Sequence, residues 1–367
     1  MRCAAWVRST RGVCRQRNPV VGRCGVRHYR SVEDGRVLAR RYYDDVVRPL
    51  IGKKWPGLPH AAGRLGSGSD VLGLDDETSR DHDWGLRLSL LVDGAVVDEI
   101  NAYLAAELPA TYAGLPTRFP FTGQTEAIHH VDVSSVEGFV TARLGVDPRQ
   151  GLSTIDWLTM SGQSVLEVVG GPVFVDQPGD ITAVRDRLQW YPDDVWRYVV
   201  ACDWTRLAEE MPLMSRAGEL GDDLGSRVIA ARLVDVAVHL AFLVERRWPP
   251  YSKWRGTMFA RLPCAREVGE PLRKTLKADH WRYRQQQLAR ALDHLLSRQR
   301  AAGLPAPGPA TVDFWDRPYL HPNSAIIDEL LASAPDLPRG RGSIEQRTDN
   351  VQVLVDPAAR RAAITQP

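Results

Sequence analysis

The sequence predicts an α+β protein, with a strand-bearing region up to about residue 150 and a mostly α-helical region after it. Three observations predict this. Two stretches before residue 150 alternate apolar and polar residues with the period of a strand. From Leu152 onward, several long segments repeat apolar residues with the period of a helix. The chain has 367 residues, which exceeds one typical domain and suits two with tails.

Residues 1–30 carry eight arginines and no acid. They lack the apolar core of a secretory signal and show no clear period. They read as a disordered basic extension, with a basic arm, an organelle-type presequence or an early start as the other readings. Ser31–Ile51 reads as a helix, with Ser31 as N-cap, Glu33 and Asp34 in its first turn, and an apolar stripe through Leu38, Tyr42 and Val46. "KKWPGLP" breaks it. "AAGRL" is a short strand leading into the turn "GSGSD", Gly66–Asp70.

"DHDWGLRLSLLV" alternates from Asp81, which predicts a strand. His82, Trp84, Leu86, Leu88 and Leu90 share one face; Asp81, Asp83, Arg87 and Ser89 share the other. Val96–Leu108 is helical. "AIHHVDVSSVEGF" is a second strand, with Val131 and Val133 inward and His130, Asp132 and Ser134 on the opposite face.

The domain boundary falls near "GVDPRQG", so the first domain runs over 31–150 and a helical domain over 151–335. Its helices are Trp157–Val169, Ile181–Leu188, Asp193–Met211, Gly221–Arg247 and Trp281–Arg300. "AAGLPAPGPA" is a connector, and 336–367 form a C-terminal arm holding "SIEQRTDNVQVLV".

Composition excludes several classes. A formal charge of +2 gives no global field for nucleic acid or a membrane surface. No apolar run reaches the ~18 residues of a membrane span. The five cysteines form no CxxC pair, which argues against a structural zinc site and a disulfide scaffold and fits a reducing cytoplasm.

The chemistry concentrates in the acids. Asp81 and Asp83, two apart on one strand face, repel each other unless a cation offsets them. Mg²⁺ does so with oxygen ligands. Asp132 from the second strand offers a third carboxylate, and such a set suits activation of a nucleophile at phosphorus. In the GSGSD turn, small residues let backbone N–H groups approach phosphate oxygens, and Ser67 or Ser69 adds a hydroxyl. Lys253, in "PPYSKWRG", either reaches triphosphate oxygens or belongs to a helix-start packing motif. Arg227 and Arg232 pair with Asp222 or Asp223, and Asp75, Asp76 and Glu77 form a solvated acidic loop or a second ion site.

The set Gly66–Ser67, Asp81–Asp83 and Asp132 resembles the nucleotidyltransferase superfamily with the DNA polymerase beta-type fold. Its hallmark is a Gly-Ser turn, a spacer, an Asp-x-Asp pair and a third acid on a later strand. "GSGSDVLGLDDETSRDHDWG", "GQSVLEVVGGPVFVD", "GDDLGSR" and "WPPYSKWRG" look like an uncharacterised bacterial branch of it, catalogued as a domain of unknown function. The resemblance implies a small mixed sheet flanked by helices, then a helical substrate domain as in aminoglycoside nucleotidyltransferases. It implies transfer of a nucleoside monophosphate, with ATP as donor, to a small hydroxylated acceptor. Asp81, Asp83 and Asp132 would hold Mg²⁺, with Asp83 and Asp132 catalytic and Asp132 also the general base. Gly66, Ser67, Ser69 and Lys253 would bind the nucleotide. A non-catalytic nucleotide sensor or partner-binding module on the same fold is an alternative. So is an RNA-directed or toxin–antitoxin enzyme, supported only by the basic first thirty residues.

Overall fold

A computed structural model describes residues 34–76, 83–334, 337 and 340–365. The basic extension, Ser31, Asp81 and His82 lie outside the described residues. Asp34, in extended conformation, accepts a hydrogen bond from the Arg36 amide at 2.8 Å and starts helix α1, Gly35–Tyr42. The N-cap is therefore Asp34 rather than the expected Ser31. A π-helical turn, Tyr43–Val47, carries α1 into α2, Arg48–Lys54.

Strand β1, Ala61–Gly63, leads into the Gly-Ser turn, and β2 spans Arg87–Leu91. Helix α3, Val97–Glu107, follows, then a small hairpin of β3, Thr111–Tyr112, and β4, Leu115–Pro116. Next come β5, Arg118–Phe119, β6, Ile128–Ser134, and α4, Val136–Leu144. Strand β2 is shorter than its sequence pattern. Asp83 (φ +52°) and Gly85 (φ +149°) leave the extended region, so Asp83 precedes the strand instead of lying in it.

Helix α5, Thr154–Thr159, and α6, Gly162–Val169, replace the single helix expected over Trp157–Val169. Ser161 makes the break. Its hydroxyl caps α6 through the Ser164 amide at 3.2 Å, competing with helix continuation. Strand β7, Val173–Asp176, follows. It has no period-2 pattern because both its faces are half-buried, and the sequence gives no strand there.

One sheet has the order β5–β6–β2–β1–β7. Strands β2 and β6 run parallel and the other pairs antiparallel, so the sheet is mixed. Its last strand comes from beyond residue 150, so the sheet crosses the boundary expected there. Glycine permits this junction: a Cβ on Gly171 (φ +71°) would lie 2.0 Å from the Arg64 carbonyl oxygen. On one sheet face, Leu86, Leu88, Leu90 and Val131 pack under Leu38, Tyr42, Ile51 and Ile100 of α1–α3. Each fully buried leucine contributes about 2 kcal/mol. The ladder pairs Arg87 with His130 and Ser89 with Asp132 on the opposite face, as the alternation predicts.

The rest is helical: α7, Asp180–Arg187; α8, Asp193–Glu219; α9, Asp223–Val244; α10, Ser252–Phe259; α11, Ala265–Lys277; and α12, Trp281–Ala301. Helix α8 continues past the expected end at Met211, through Pro212, because Met214 and Ser215 are fully buried. A second hairpin of β8, Thr311–Asp313, and β9, Leu320–Pro322, precedes α13, Ser324–Leu331. The C-terminal segment forms α14, Ile344–Arg347, α15, Val351–Val355, and α16, Pro357–Thr365. It inserts Ile344, Leu354 and Ile364 into the helical core. Buried Arg360 donates to the carbonyls of Thr159 and Leu354 at 2.9 and 2.7 Å. Arg227 pairs with Asp223 at 2.6 Å, as expected, whereas Arg232 pairs with Glu210 at 2.7 Å. Among the described residues no helix is long and apolar enough to cross a membrane, and Cys202 and Cys264 are free thiols.

Candidate functional site

The Gly-Ser turn is built around an internal ion pair. Arg64, at the end of β1, is 2 % exposed and grips Asp70 with two bonds, Nε–Oδ2 at 2.5 Å and Nη2–Oδ1 at 2.8 Å. The same guanidinium donates to the carbonyls of Leu65 and Ser67 at 2.6 and 2.9 Å. The turn thus wraps around one arginine fork, a geometry matched to carboxylate. Gly66 (φ +82°) donates its N–H to the Glu167 carbonyl at 2.8 Å. A Cβ on Gly66 would meet Arg143 Nη2 at 2.8 Å, so glycine is required twice over.

Among the described residues, the amides of Ser67, Gly68 and Ser69 meet no protein acceptor. Ser69 Oγ donates to Asp75 Oδ1 at 2.7 Å, while Asp75 Oδ2 accepts from Trp84 Nε1 at 3.1 Å and the Gly35 amide at 3.2 Å. Asp75 therefore ties the turn to α1 and Trp84 and is not simply a solvated loop acid.

Asp83 Oδ1 accepts from the Thr122 amide at 2.6 Å. Its own carbonyl accepts from Arg87 Nη1 at 3.1 Å, and Arg87 Nη2 donates to Ser67 Oγ at 3.2 Å. Arg87 makes no ion pair among the described residues. Burial and the nearby Arg64 charge lower its pKa to about 10, against the pull of Asp70, Asp83 and Asp132. Its guanidinium also lies 5.1 Å from the Phe121 ring, which stacks on His130 at 3.8 Å. Burial likewise lowers the pKa of His130, whose Nε2 lies 2.7 Å from the Phe119 carbonyl.

Two cavities flank Arg87. The first, about 280 Å³, is lined by Ser67, Ser69, Asp83, Arg87, Lys253 and Trp254 among others. It brings together the turn, one acid of the DHD triplet and the start of α10, and Lys253 lies 4.9 Å from the Trp254 ring. The second, about 460 Å³, is lined by Ser67, Arg87, Ser89, His130, Asp132 and Arg143 among others. Asp132 is half-exposed, 3.4 Å from Arg143 Nη2. Arg143 is in turn 3.8 Å from Glu167 and stacked on Phe139.

Asp83 and Asp132 therefore border different cavities, joined by the shared wall of Ser67 and Arg87. Asp132 stands across from Ser89, six positions beyond Asp83. Among the described residues no three His, Cys, Asp or Glu side chains group closely enough to hold a metal ion. Asp81, expected to be a ligand, lies outside the described residues. The sequence pattern does not single out Arg64, Arg87 and Arg143. For Arg87 the signal was present, since a lone cation on the polar face of a half-buried strand needs a partner. Arg64 and Arg143 gave no such sign.

Residues 157–255 match the family described as Domain of unknown function (DUF4037). That stretch covers α6 and the first residues of α10, two walls of the smaller cavity. No curated protein and no solved structure matches the chain significantly.

Proposed function

We propose that this protein is a Mg²⁺-dependent nucleotidyltransferase that moves a nucleoside monophosphate, AMP from ATP, onto a small hydroxylated acceptor. The observation that carries the reading is the cavity where Ser67–Ser69 of the turn, Asp83, Arg87 and Lys253 meet. The turn offers amides that meet no protein acceptor among the described residues, beside two cations, a setting that suits a triphosphate. Trp254 and Tyr251 line the same cavity and offer faces for a base.

The donor set fits magnesium in kind, since carboxylate oxygens are its preferred ligands. Asp83, with Asp81, would hold the ion at the smaller cavity, whereas Asp132 borders the adjoining one and would not reach the same ion. When bound, the ion would neutralise phosphate charge and polarise the reacting phosphorus. The chain's own residues would do the remainder. Ser67–Ser69 amides and Lys253 bind the phosphates. Arg87 crosses from one cavity to the other and orients the chain of phosphates between them. Asp132, in the adjoining cavity, accepts the proton of the acceptor hydroxyl.

A nucleotide sensor without turnover is favoured by one specific observation, the separation of Asp83 and Asp132 into two cavities. Incubation with ATP labelled at the α-phosphate, Mg²⁺ and a metabolite extract separates the readings. The transferase releases pyrophosphate and labels an acceptor, and Asp132→Asn abolishes both. Saturable ATP binding with no pyrophosphate from wild type contradicts the transferase.

A further inference from the structure

Helices α6 and α10 have two working faces. Toward the candidate nucleotide cavity they present Gln163, Glu167, Lys253 and Trp254. Away from it, Leu166, Val169 and Met258 line a third cavity of about 540 Å³. Phe242, Trp248 and Leu262 complete its apolar floor.

Four arginines, Arg185, Arg246, Arg247 and Arg261, line this cavity with one acid, Asp186. None of the four pairs with a carboxylate among the described residues. Asp186 accepts from the Gln189 amide at 3.3 Å, and the nearby Glu245 is held by Arg298 at 2.9 and 3.1 Å. Arg185 is fixed by the carbonyls that end α6, donating to Val168 at 3.0 Å and Gly170 at 2.8 Å. Arg246 adopts φ +50°, a left-handed conformation disfavoured for its side chain, with its guanidinium 4.2 Å from the Trp196 ring. Arg261 reaches the Gly73 carbonyl at 3.3 Å.

Gathering like charges in a concavity costs free energy unless an anion is taken up there. Arginine forks match phosphate and carboxylate oxygens in pairs. An apolar floor beneath a polar rim suits a ligand with an apolar body. We propose that this cavity binds an amphiphilic organic anion, with a phosphate or carboxylate head on the arginines and a flat apolar body against Trp248. The proposal does not rest on nucleotidyl transfer.

The test titrates the full chain with 1-naphthyl phosphate, 1-naphthoate, 1-naphthol and inorganic phosphate, read by tryptophan fluorescence and calorimetry. One or both naphthyl anions should bind saturably, and their ratio tells a phosphate head from a carboxylate. Naphthol and inorganic phosphate should each bind at least about tenfold more weakly. Arg246→Asn with Arg247→Ala, where Asn tolerates the left-handed backbone, should weaken binding about tenfold or more. Arg261→Ala, exposed and outside any helix, should weaken it independently. Equal binding by wild type and both variants overturns the proposal. So does loss of binding in Arg87→Gln alone, which assigns the anion to the nucleotide cavity.

Discussion

Arg64 and Asp70 form a buried, two-bond ion pair that closes the Gly-Ser turn, with Nε and Oδ2 2.5 Å apart. Removing one partner strands the other charge with its side chain buried. Asp70→Asn should therefore destabilise the fold by about 3 kcal/mol in urea unfolding, and Arg64→Met with Asp70→Leu should recover part of that loss. A loss below about 1 kcal/mol would mean that the turn does not depend on the pair.

Arg87 stands between the two cavities without an ion-pair partner among the described residues. Arg87→Gln should weaken ATP binding by about 2 kcal/mol in calorimetry, the scale of a charged hydrogen bond. Arg87→Lys should recover only part, because a single ammonium cannot reproduce the fork. Unchanged affinity in Arg87→Gln would remove this residue from the nucleotide site.

In the helical core, His239 Nδ1 lies 2.7 Å from Asp203 and Nε2 lies 3.9 Å from Glu345. Burial disfavours the imidazolium, but the two carboxylates outweigh it and raise the pKa from 6.5 to about 10. A pKa raised on folding stabilises the native state fully below about 6.5, and that contribution is lost as pH rises through about 10. The stability difference between wild type and His239→Gln should thus shrink from pH 7 to pH 10 in urea unfolding. A constant or growing difference contradicts the assignment.

Burial pushes the thiols of Cys202 and Cys264 up to about 12. Thiolate is the reactive form, so iodoacetamide at pH 8 should leave both unmodified in the native protein and modify both in urea. Peptide mapping reads the two sites separately from the cysteines near the N-terminus. Full native labelling of either site would contradict the raised pKa that half-buried Cys202 and buried Cys264 owe to their surroundings.

Much of this fold was legible in the chain. Leucine alternation at Leu86, Leu88 and Leu90 gave the buried face of β2, and Val131 and Val133 gave that of β6. The long apolar periods of α8, α9 and α12 gave the helical half. What failed depended on tertiary context. Strand β7 carries no alternation because both its faces are covered. The DHD triplet reads as strand by parity, but the positive φ of Asp83 is set by contacts with Thr122 and Arg87 that lie far along the chain or across a turn. At the site, Gly66, Ser67, Ser69, Asp83 and Lys253 were named from residue type and spacing. Arg64 and Arg143 were not, because an arginine at the end of a strand or helix has many ordinary partners, and only packing chooses among them.

The central claim is that the cavity at Ser67, Asp83 and Lys253 holds a nucleoside triphosphate with magnesium. Calorimetric titration of ATP, with and without Mg²⁺, on wild type and on Asp81→Asn with Asp83→Asn tests it most directly. The account predicts that Mg²⁺ tightens ATP binding to wild type about tenfold or more, and that the double variant loses this gain. Equal ATP–Mg²⁺ binding by wild type and variant would contradict it.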